Sequence, residues 1–554
     1  MSVRLHPARR FVLSAAIVVA LVLPGCGGRP ISRDALVEDV EYLAWVIREV
    51  HPDPYERIRG EAAFERQLAE TIAGIPDEGM TRAEFSLHLM PFMAAIGDAH
   101  TVVHADFDVD YGRPGGVPLY FGAVGRELYV RGVTREDERR LLGARLVSIE
   151  GVPFAEIVER YPRFRPVENE YGVLAMLGRY NDLWCEPQLA ALLPEWTDHS
   201  KISVELLLPS DETERVAFDL PRSVEYPPIV PERTVELPAT DRRDFAYRFL
   251  DEERDVALLR ITGMMRYREA LEMWEANGNE AFRDHGREAY EMFHGETAPS
   301  DYAEVIAGAP SVTEVFRDLV REMKDAGTKA LIVDVRQNSG GNSFMSNILV
   351  YFLYGRETLL GRPPGLEVKK YSDYYLKTRT GRTLDELNEG RDVPLAVGDC
   401  DTLSNPRLGV TPELLKQRLT NLRSMATFAT ELESGEHDGY YTPEHVIVIS
   451  TPWTFSSGYT MMRYLYQAGA ELAGTPSGQA SNCFGDIVPF ELPNSSLSGN
   501  VSHKRFADFP DDPELGRALP MDYPLTYEKL REYGFDLDAE VLWAVEVTKG
   551  PATR

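Results

Sequence analysis

The chain has 554 residues, 44% of them hydrophobic and 27% charged, with a formal net charge of −29 at pH 7. That length suits several domains, and the acidic balance excludes nucleic acid or an anionic membrane surface as a partner. Cys26, Cys185, Cys400 and Cys483 are scattered and imply no disulfide framework.

The first residues read as an address label. Arg4, Arg9 and Arg10 form a basic stretch before an apolar run from Phe11 to Leu23. That run is too short to cross a hydrocarbon core of ~30 Å as a helix, so it reads as a signal segment over 1–25. Leu23-Pro24-Gly25-Cys26 resembles the lipobox of bacterial lipoproteins. The resemblance implies a lipidated Cys26 as the mature N-terminus, with several acyl chains holding the protein on the envelope. Gly27 in place of aspartate is similar to outer-membrane sorting signals, which implies an outer-membrane protein facing the periplasm. An ordinary secretory peptide with an incidental cysteine is the plain alternative.

Residues 26–33 form a linker. Leu36, Val40, Leu43, Ala44 and Ile47 then recur at helical spacing, as do Phe64, Leu68 and Ile72. Thr81 with Glu84 makes a capping box before Phe85, Leu87, Met90 and Met93. These predict three helices ending at Gly97, within an N-terminal helical unit over 34–104. From 115 to 225 the pattern changes to short strands, at 117–121, 127–130 and 202–207. Gly143 to Gly151 resembles the turn that PDZ domains carry before their second helix, so 115–225 is expected to be a PDZ-like domain; an unrelated small β-domain is the alternative.

The Pro-, Glu- and Arg-rich stretch 220–245 reads as a connection. Beyond it, apolar strands alternate with amphipathic helices: a strand at 256–261, a helix over 312–326 and a strand at 330–335. A helix over 346–353, a strand at 445–450, a helix from 457 to 468 and a strand at 471–473 follow. This βαβ series predicts an α/β core over 245–548. Two long polar segments, 266–310 and 360–442, read as surface insertions.

Three distant segments carry chemistry. Ser456, in Thr454-Phe455-Ser456-Ser457-Gly458, follows an apolar strand and opens a helix, so helix N–H groups point at any oxyanion formed there. Ser457 supplies one such donor. Gly340 and Gly341 follow another strand, where backbone without a side chain can approach a reacting carbonyl closely. Losing one oxyanion donor typically costs ~3–4 kcal/mol of transition-state stabilisation. His100, in Gly97-Asp98-Ala99-His100-Thr101, has an imidazole able to take the Ser456 proton and return it to a leaving amine.

Asp334-Val335-Arg336-Gln337-Asn338-Ser339-Gly340-Gly341 resembles the D-x-R-x-N-x-G-G signature of the tail-specific, or C-terminal-processing, serine proteases. Thr454–Gly458 is similar to their nucleophile turn, and His51-Pro52-Asp53-Pro54-Tyr55 with Gly97–Thr101 to their N-terminal part. The resemblance implies a ClpP/crotonase-like α/β protease core, acting on a peptide or protein substrate. One branch of that family takes its base from a lysine in a G-K-x-x-x-Q context. The matching stretch here, Gly474-Thr475-Pro476-Ser477-Gly478-Gln479, has none, and Lys504, Lys529 and Lys549 lie outside it. The chain therefore resembles the branch typified by the tricorn core, with a histidine base, which implies His100. That branch places a glutamate before a G-x-x-P-D segment. Glu514 in Glu514-Leu515-Gly516-Arg517-Ala518-Leu519-Pro520-Met521-Asp522 is similar, with Met521 as an extra residue and Asp511 and Asp512 as rivals.

The resemblance thus implies a Ser456–His100–Glu514 arrangement with Gly340, Gly341 and Ser457 as the oxyanion hole. His104, His503 and His51 sit in no matching base motif and read as packing or surface residues. Asp106, Asp108 and Asp110 alternate like a calcium loop, but Tyr111 and Val117 replace its glycine and bidentate glutamate. With no H-E-x-x-H, Walker or G-x-S-x-G motif, no metal and no cofactor are expected. A non-catalytic ligand- or peptide-binding protein on the same scaffold is the competing reading, since fold alone does not settle function.

Overall fold

The computed structural model describes residues 29–104, 113–178, 182–224, 227–240, 243–279 and 282–550. The signal segment, Cys26 and the 106–110 aspartates lie outside the described residues. Among the described residues, no helix is long and apolar enough to cross a membrane.

The N-terminal helices span Arg33–Val50, Glu61–Ala73 and Arg82–Ile96. Leu36, Val40, Leu43, Ala44, Ile47 and Phe64 are all fully buried, which is why the apolar spacing reads as helix. The Thr81–Glu84 capping box forms, and Gly97 ends the third helix with a left-handed φ of 71°. These helices pack on an antiparallel sheet that the sequence does not announce. Its strands are Val102–Val103, Leu366–Lys370, Cys400–Ser404, Asn482–Glu491 and Ser498–Ala507. Val488, Phe490 and Val501 join the helices in one core, together with Tyr371, Tyr375 and Leu376. The 360–442 segment is therefore more than a surface insertion: two of its strands extend this sheet, with Lys369 opposite Lys504.

A second sheet, with its own core around Leu128, Val130, Ile149, Tyr161, Val204 and Leu206, occupies the span read as PDZ-like. Its strands run Tyr120–Val124, Glu127–Gly132, Arg145–Ile149, Lys201–Leu207 and Thr213–Asp219, each antiparallel to the next, with Val152–Pro153 beside the third. Helices Phe154–Arg160, Glu170–Gly178 and Glu186–Leu192 complete this unit.

The α/β core holds a six-stranded sheet. In spatial order the strands are Tyr523–Pro524, Glu471–Gly474, His445–Ser450, Ala330–Asp334, Val256–Ile261 and Phe245–Phe249. The first five are parallel and the last is antiparallel. Parallel strands need cover on both faces. Helices Val312–Ala326, Met345–Gly361 and Ser457–Gln467 face one side and Ala539–Val547 the other. The 266–310 segment also contributes to this core through Tyr267, Leu271 and Trp274, each buried despite polar neighbours in sequence. The carboxyl ends of the two central strands, at Asp334 and Ser450, open into the loops that carry the glycine pair and Ser456, where α/β sheets place their ligands.

Candidate active site

Donors of the loop after Ser450 lace it to backbone carbonyls of the loop after Asp334. Thr451 Oγ1 donates to Arg336 O at 2.8 Å, Thr454 Oγ1 to Val335 O at 2.9 Å, and Phe455 N–H to Asn338 O at 3.0 Å. Arg336, almost fully buried, anchors the first loop from below. Its guanidinium is bidentate on Asp334 (2.9 Å to each oxygen) and reaches Asp538 at 3.0 Å and Glu540 at 2.8 Å. The D-x-R-x-N-x-G-G spacing thus has a physical content: aspartate and arginine lock the strand end, and Asn338 shapes the bend.

Ser456 sits at the head of helix Ser457–Gln467 with φ 52° and ψ −118°, a strained conformation for a residue with a side chain. Its N–H donates to Gln479 Oε1 at 2.5 Å. Gly340 and Gly341 both have φ 132°, where glycine is favoured. A Cβ on Gly340 would lie 2.8 Å from Ser456 Cβ, and one on Gly341 2.6 Å from the Met264 carbonyl. Ser457 Oγ closes the other side by donating to Gly341 O at 2.6 Å. Of the three expected oxyanion donors, Gly340 is turned inward: its N–H donates to Asn338 Oδ1 at 3.0 Å. Ser457 N–H lies in the first turn of the helix, where backbone donors have no intrahelical acceptor. Among the described residues, neither it nor Gly341 N–H has an acceptor of the kind that holds Gly340, which leaves these two as the candidate oxyanion donors.

His100 reaches the same place from the N-terminal unit. Asp98 is fixed by three donors, His100 N–H at 2.9 Å, Thr101 Oγ1 at 2.5 Å and Ser502 Oγ at 2.6 Å, with the His51 ring facing it at 3.4 Å. The two N-terminal motifs therefore meet: His51 and Asp98 form a buried pair that holds the turn presenting His100. The His100 ring lies against Phe455, the residue before Ser456, with ring centroids 4.6 Å apart. No hydrogen bond joins it to Ser456; among the described residues both its ring nitrogens lack a hydrogen-bond partner. Catalytic hydrogen bonds in empty sites are often long and close only around substrate.

Glu514, expected as the third member, is not beside His100. Its side chain is 82% exposed and pairs with Arg517 at 3.1 Å. Asp511 is also exposed, opposite Arg407, and Asp512 caps the short helix Pro513–Arg517 through Glu514 N–H and Leu515 N–H. The Glu514 expected from the G-x-x-P-D resemblance thus lies on a short capped helix at the surface. The carboxylate facing His100 Nδ1 is Glu168, at 3.5 Å, with its side chain 1% exposed and its second oxygen accepting Ala480 N–H at 2.9 Å. Burial by itself would lower the His100 pKa; Glu168, with Asp98, outweighs it and holds the imidazole above the ordinary histidine range.

The other candidate bases have structural partners. Lys504 Nζ lies 3.0 Å from both Glu367 and Asp486. Burial works against its charge, but these carboxylates outweigh it and raise its pKa, so it is a fixed cation. His503 is stacked on Tyr375, and its burial pushes its pKa down to about 4 despite Asp486. His104 pairs with Asn500 at 3.2 Å. Asp98, His100 and Glu168 have donor atoms within 4.8 Å of one another. Both Asp98 oxygens also accept hydrogen bonds from the turn that carries His100 and from Ser502. Cys185, Cys400 and Cys483 are free thiols.

No family model matches the sequence, and no curated protein matches it. Solved structures do. A serine-to-alanine mutant of CPAF is 12% identical, with 94% of this chain and 99% of that one superposed at a TM-score of 0.54. Mature CPAF complexed with lactacystin is 11% identical over 93% and 99% of the two chains, with a TM-score of 0.50. The photosystem II D1 C-terminal processing protease, 11% identical over 94% and 98%, gives 0.39, a superposition too loose to carry an argument. The chain has the mixed α/β, several-sheet fold of the CPAF structures.

Proposed function

We propose that this chain is a lipid-anchored cell-envelope serine endopeptidase of the tail-specific type, in the branch with a histidine base. The observation that carries the reading is Ser456 at a helix head, packed against the Gly340–Gly341 bend, with the His100 ring against the adjacent Phe455. An extended peptide lies along the bend. Ser456 Oγ attacks the scissile carbonyl carbon while His100 Nε2 takes the hydroxyl proton. The oxyanion is met by the Gly341 and Ser457 amides, a preorganised pair whose donors are worth ~3–4 kcal/mol each in acyl transfer. Collapse of the tetrahedral adduct breaks the C–N bond, and His100 returns the proton to the leaving amine. Water, deprotonated by His100, then hydrolyses the acyl ester. Cys26 carries the lipid anchor, holding the site at the outer membrane on its periplasmic side.

The open gap between Ser456 and His100 is what a non-catalytic peptide-binding protein on this scaffold would rest on. A fluorophosphonate probe decides between them. Covalent labelling of the folded chain that disappears in Ser456→Ala supports the hydrolase; an unlabelled, folded wild type supports the binder.

A further inference from the structure

The three side chains at the site come from three separately cored units. Ser456 belongs to the α/β core, His100 to the N-terminal unit, and Glu168 to the sheet unit inserted between them. Glu168 precedes helix Glu170–Gly178, whose Val173, Leu174 and Leu177 are buried in the inserted unit's own core. The loop bearing it is fastened to the α/β core at several points. Asn169 Nδ2 donates to Ser477 O and to Arg517 O, both at 3.1 Å, and Glu168 Oε2 accepts Ala480 N–H. Gly172 faces Gly478 so closely that a Cβ on it would lie 3.0 Å from the Gly478 carbonyl oxygen.

The core loop that receives these contacts also holds the nucleophile. Ser477 Oγ donates to Thr454 O at 2.5 Å, and Gln479 takes the Ser456 N–H. One short loop therefore touches the inserted unit with one side and Ser456 with the other. Glu168 Oε1 is buried with no hydrogen-bond partner within normal reach, and His100 Nδ1 is the group it faces. A buried carboxylate oxygen left unpaired is destabilising, so this arrangement is poor for stability and well suited to receiving an imidazolium.

We infer that Glu168 is the positioning carboxylate of the site and that docking of the inserted unit on the 477–480 loop assembles it. Glu168 accepts a hydrogen bond from His100 Nδ1–H, fixing the tautomer that leaves Nε2 free to take the Ser456 proton. The carboxylate stays ionised while the ring cycles between neutral and charged forms. This rests on the serine-hydrolase reading above, and the test separates the two.

Full-length Glu168→Gln, Glu168→Asp, Glu514→Gln and Gly172→Val are compared with wild type. Fluorophosphonate labelling rates are measured against pH, and the His100 ring is titrated by NMR with ¹³C-histidine, its signal assigned by loss in His100→Ala. The amide introduced by Glu168→Gln would keep the bond from Ala480 N–H and lose only the charge. This variant is expected to slow labelling on the order of 10²–10⁴-fold. The His100 titration and the acidic limb of the rate profile should both move to lower pH. Glu168→Asp recovers part of both, Gly172→Val shows the same shift with Glu168 untouched, and Glu514→Gln behaves as wild type. A mere packing defect would lower the plateau without moving the limb. Wild-type labelling and titration in Glu168→Gln, or collapse in Glu514→Gln instead, overturns the inference. A wild type that never labels, with a His100 titration still displaced by Glu168→Gln, sinks the hydrolase reading and leaves the pairing supported.

Discussion

Replacing Gly340 with alanine tests the closeness of bend and nucleophile. The new Cβ would sit 2.8 Å from Ser456 Cβ and 3.2 Å from its Oγ. Carbon atoms rest at about 3.5–4.0 Å from each other, so Ser456 or the bend must move by roughly 0.7–1.2 Å. Ser456 has little room to yield, because its N–H is held by Gln479 and its carbonyl accepts Thr460 N–H at 3.0 Å. The backbone at φ 132° adds strain of about 1–3 kcal/mol for any side chain. At ~2–4 °C per kcal/mol, Tm should fall by about 2–12 °C. A displacement near 1 Å at a reacting atom is worth on the order of 10² in rate, so labelling of Gly340→Ala should drop by about that factor. Gly295→Ala is the control: its φ is 76°, yet no atom lies within 4 Å of the added methyl. It should lose stability and keep its labelling rate. Measured by scanning fluorimetry and labelling kinetics, a Gly340→Ala enzyme within threefold of wild type would refute the argument.

Two further variants examine the scaffold under the site. Arg336→Met removes the buried cation that bridges Asp334, Asp538 and Glu540, leaving the half-exposed Arg233, 3.8 Å from Asp538, as a poor replacement. Breaking such a cluster costs about 3–5 kcal/mol, or roughly 6–20 °C in Tm, and a change under about 2 °C would contradict it. Asp98 gives a pH signature. Burial would raise its carboxyl pKa, but the His51 hydrogen bond and charge outweigh that and hold it well below the usual carboxylate range. The stability it contributes is complete above its unfolded value of about 4 and is lost as the pH falls toward the folded one. Asp98→Asn should therefore lower urea stability at pH 7, with the gap to wild type beginning to narrow as the pH falls below about 4 and closing only as it passes the depressed folded value; a difference that stays constant as the pH is lowered would rule the linkage out.

Much of the α/β core was legible because its residues obey local periods. The helix at 312–326 buries Val312, Phe316, Leu319, Val320 and Met323 along one stripe, and the strand at 330–334 is apolar from Ala330 to Val333 because both faces are covered. Ser456 was found from its flanks, a buried strand before it and an amphipathic helix after it. The Leu366–Lys370 strand was missed because all five of its residues are only half-buried, leaving no alternation to read. Glu168 has no local signal at all: it meets His100 only because the inserted unit folds back onto the 477–480 loop. Glu514 matched a pattern in sequence, yet the Asp512 cap points its helix to solvent. The N-terminal motif also proved richer than a base carrier, since His51 and Asp98 form the buried brace that gives His100 its place.

That nucleophile, imidazole and facing carboxylate each hang from a different hydrophobic nucleus has a bearing on biogenesis. A nascent chain, made from its N-terminus onward, makes the helices first and then the inserted sheet, but strands Asn482–Glu491 and Ser498–Ala507, which complete the helices' core and brace Asp98, are made only after Ser456. Until the final piece locks in, no fragment holds all three groups, so latency during synthesis needs no separate inhibitor to enforce it.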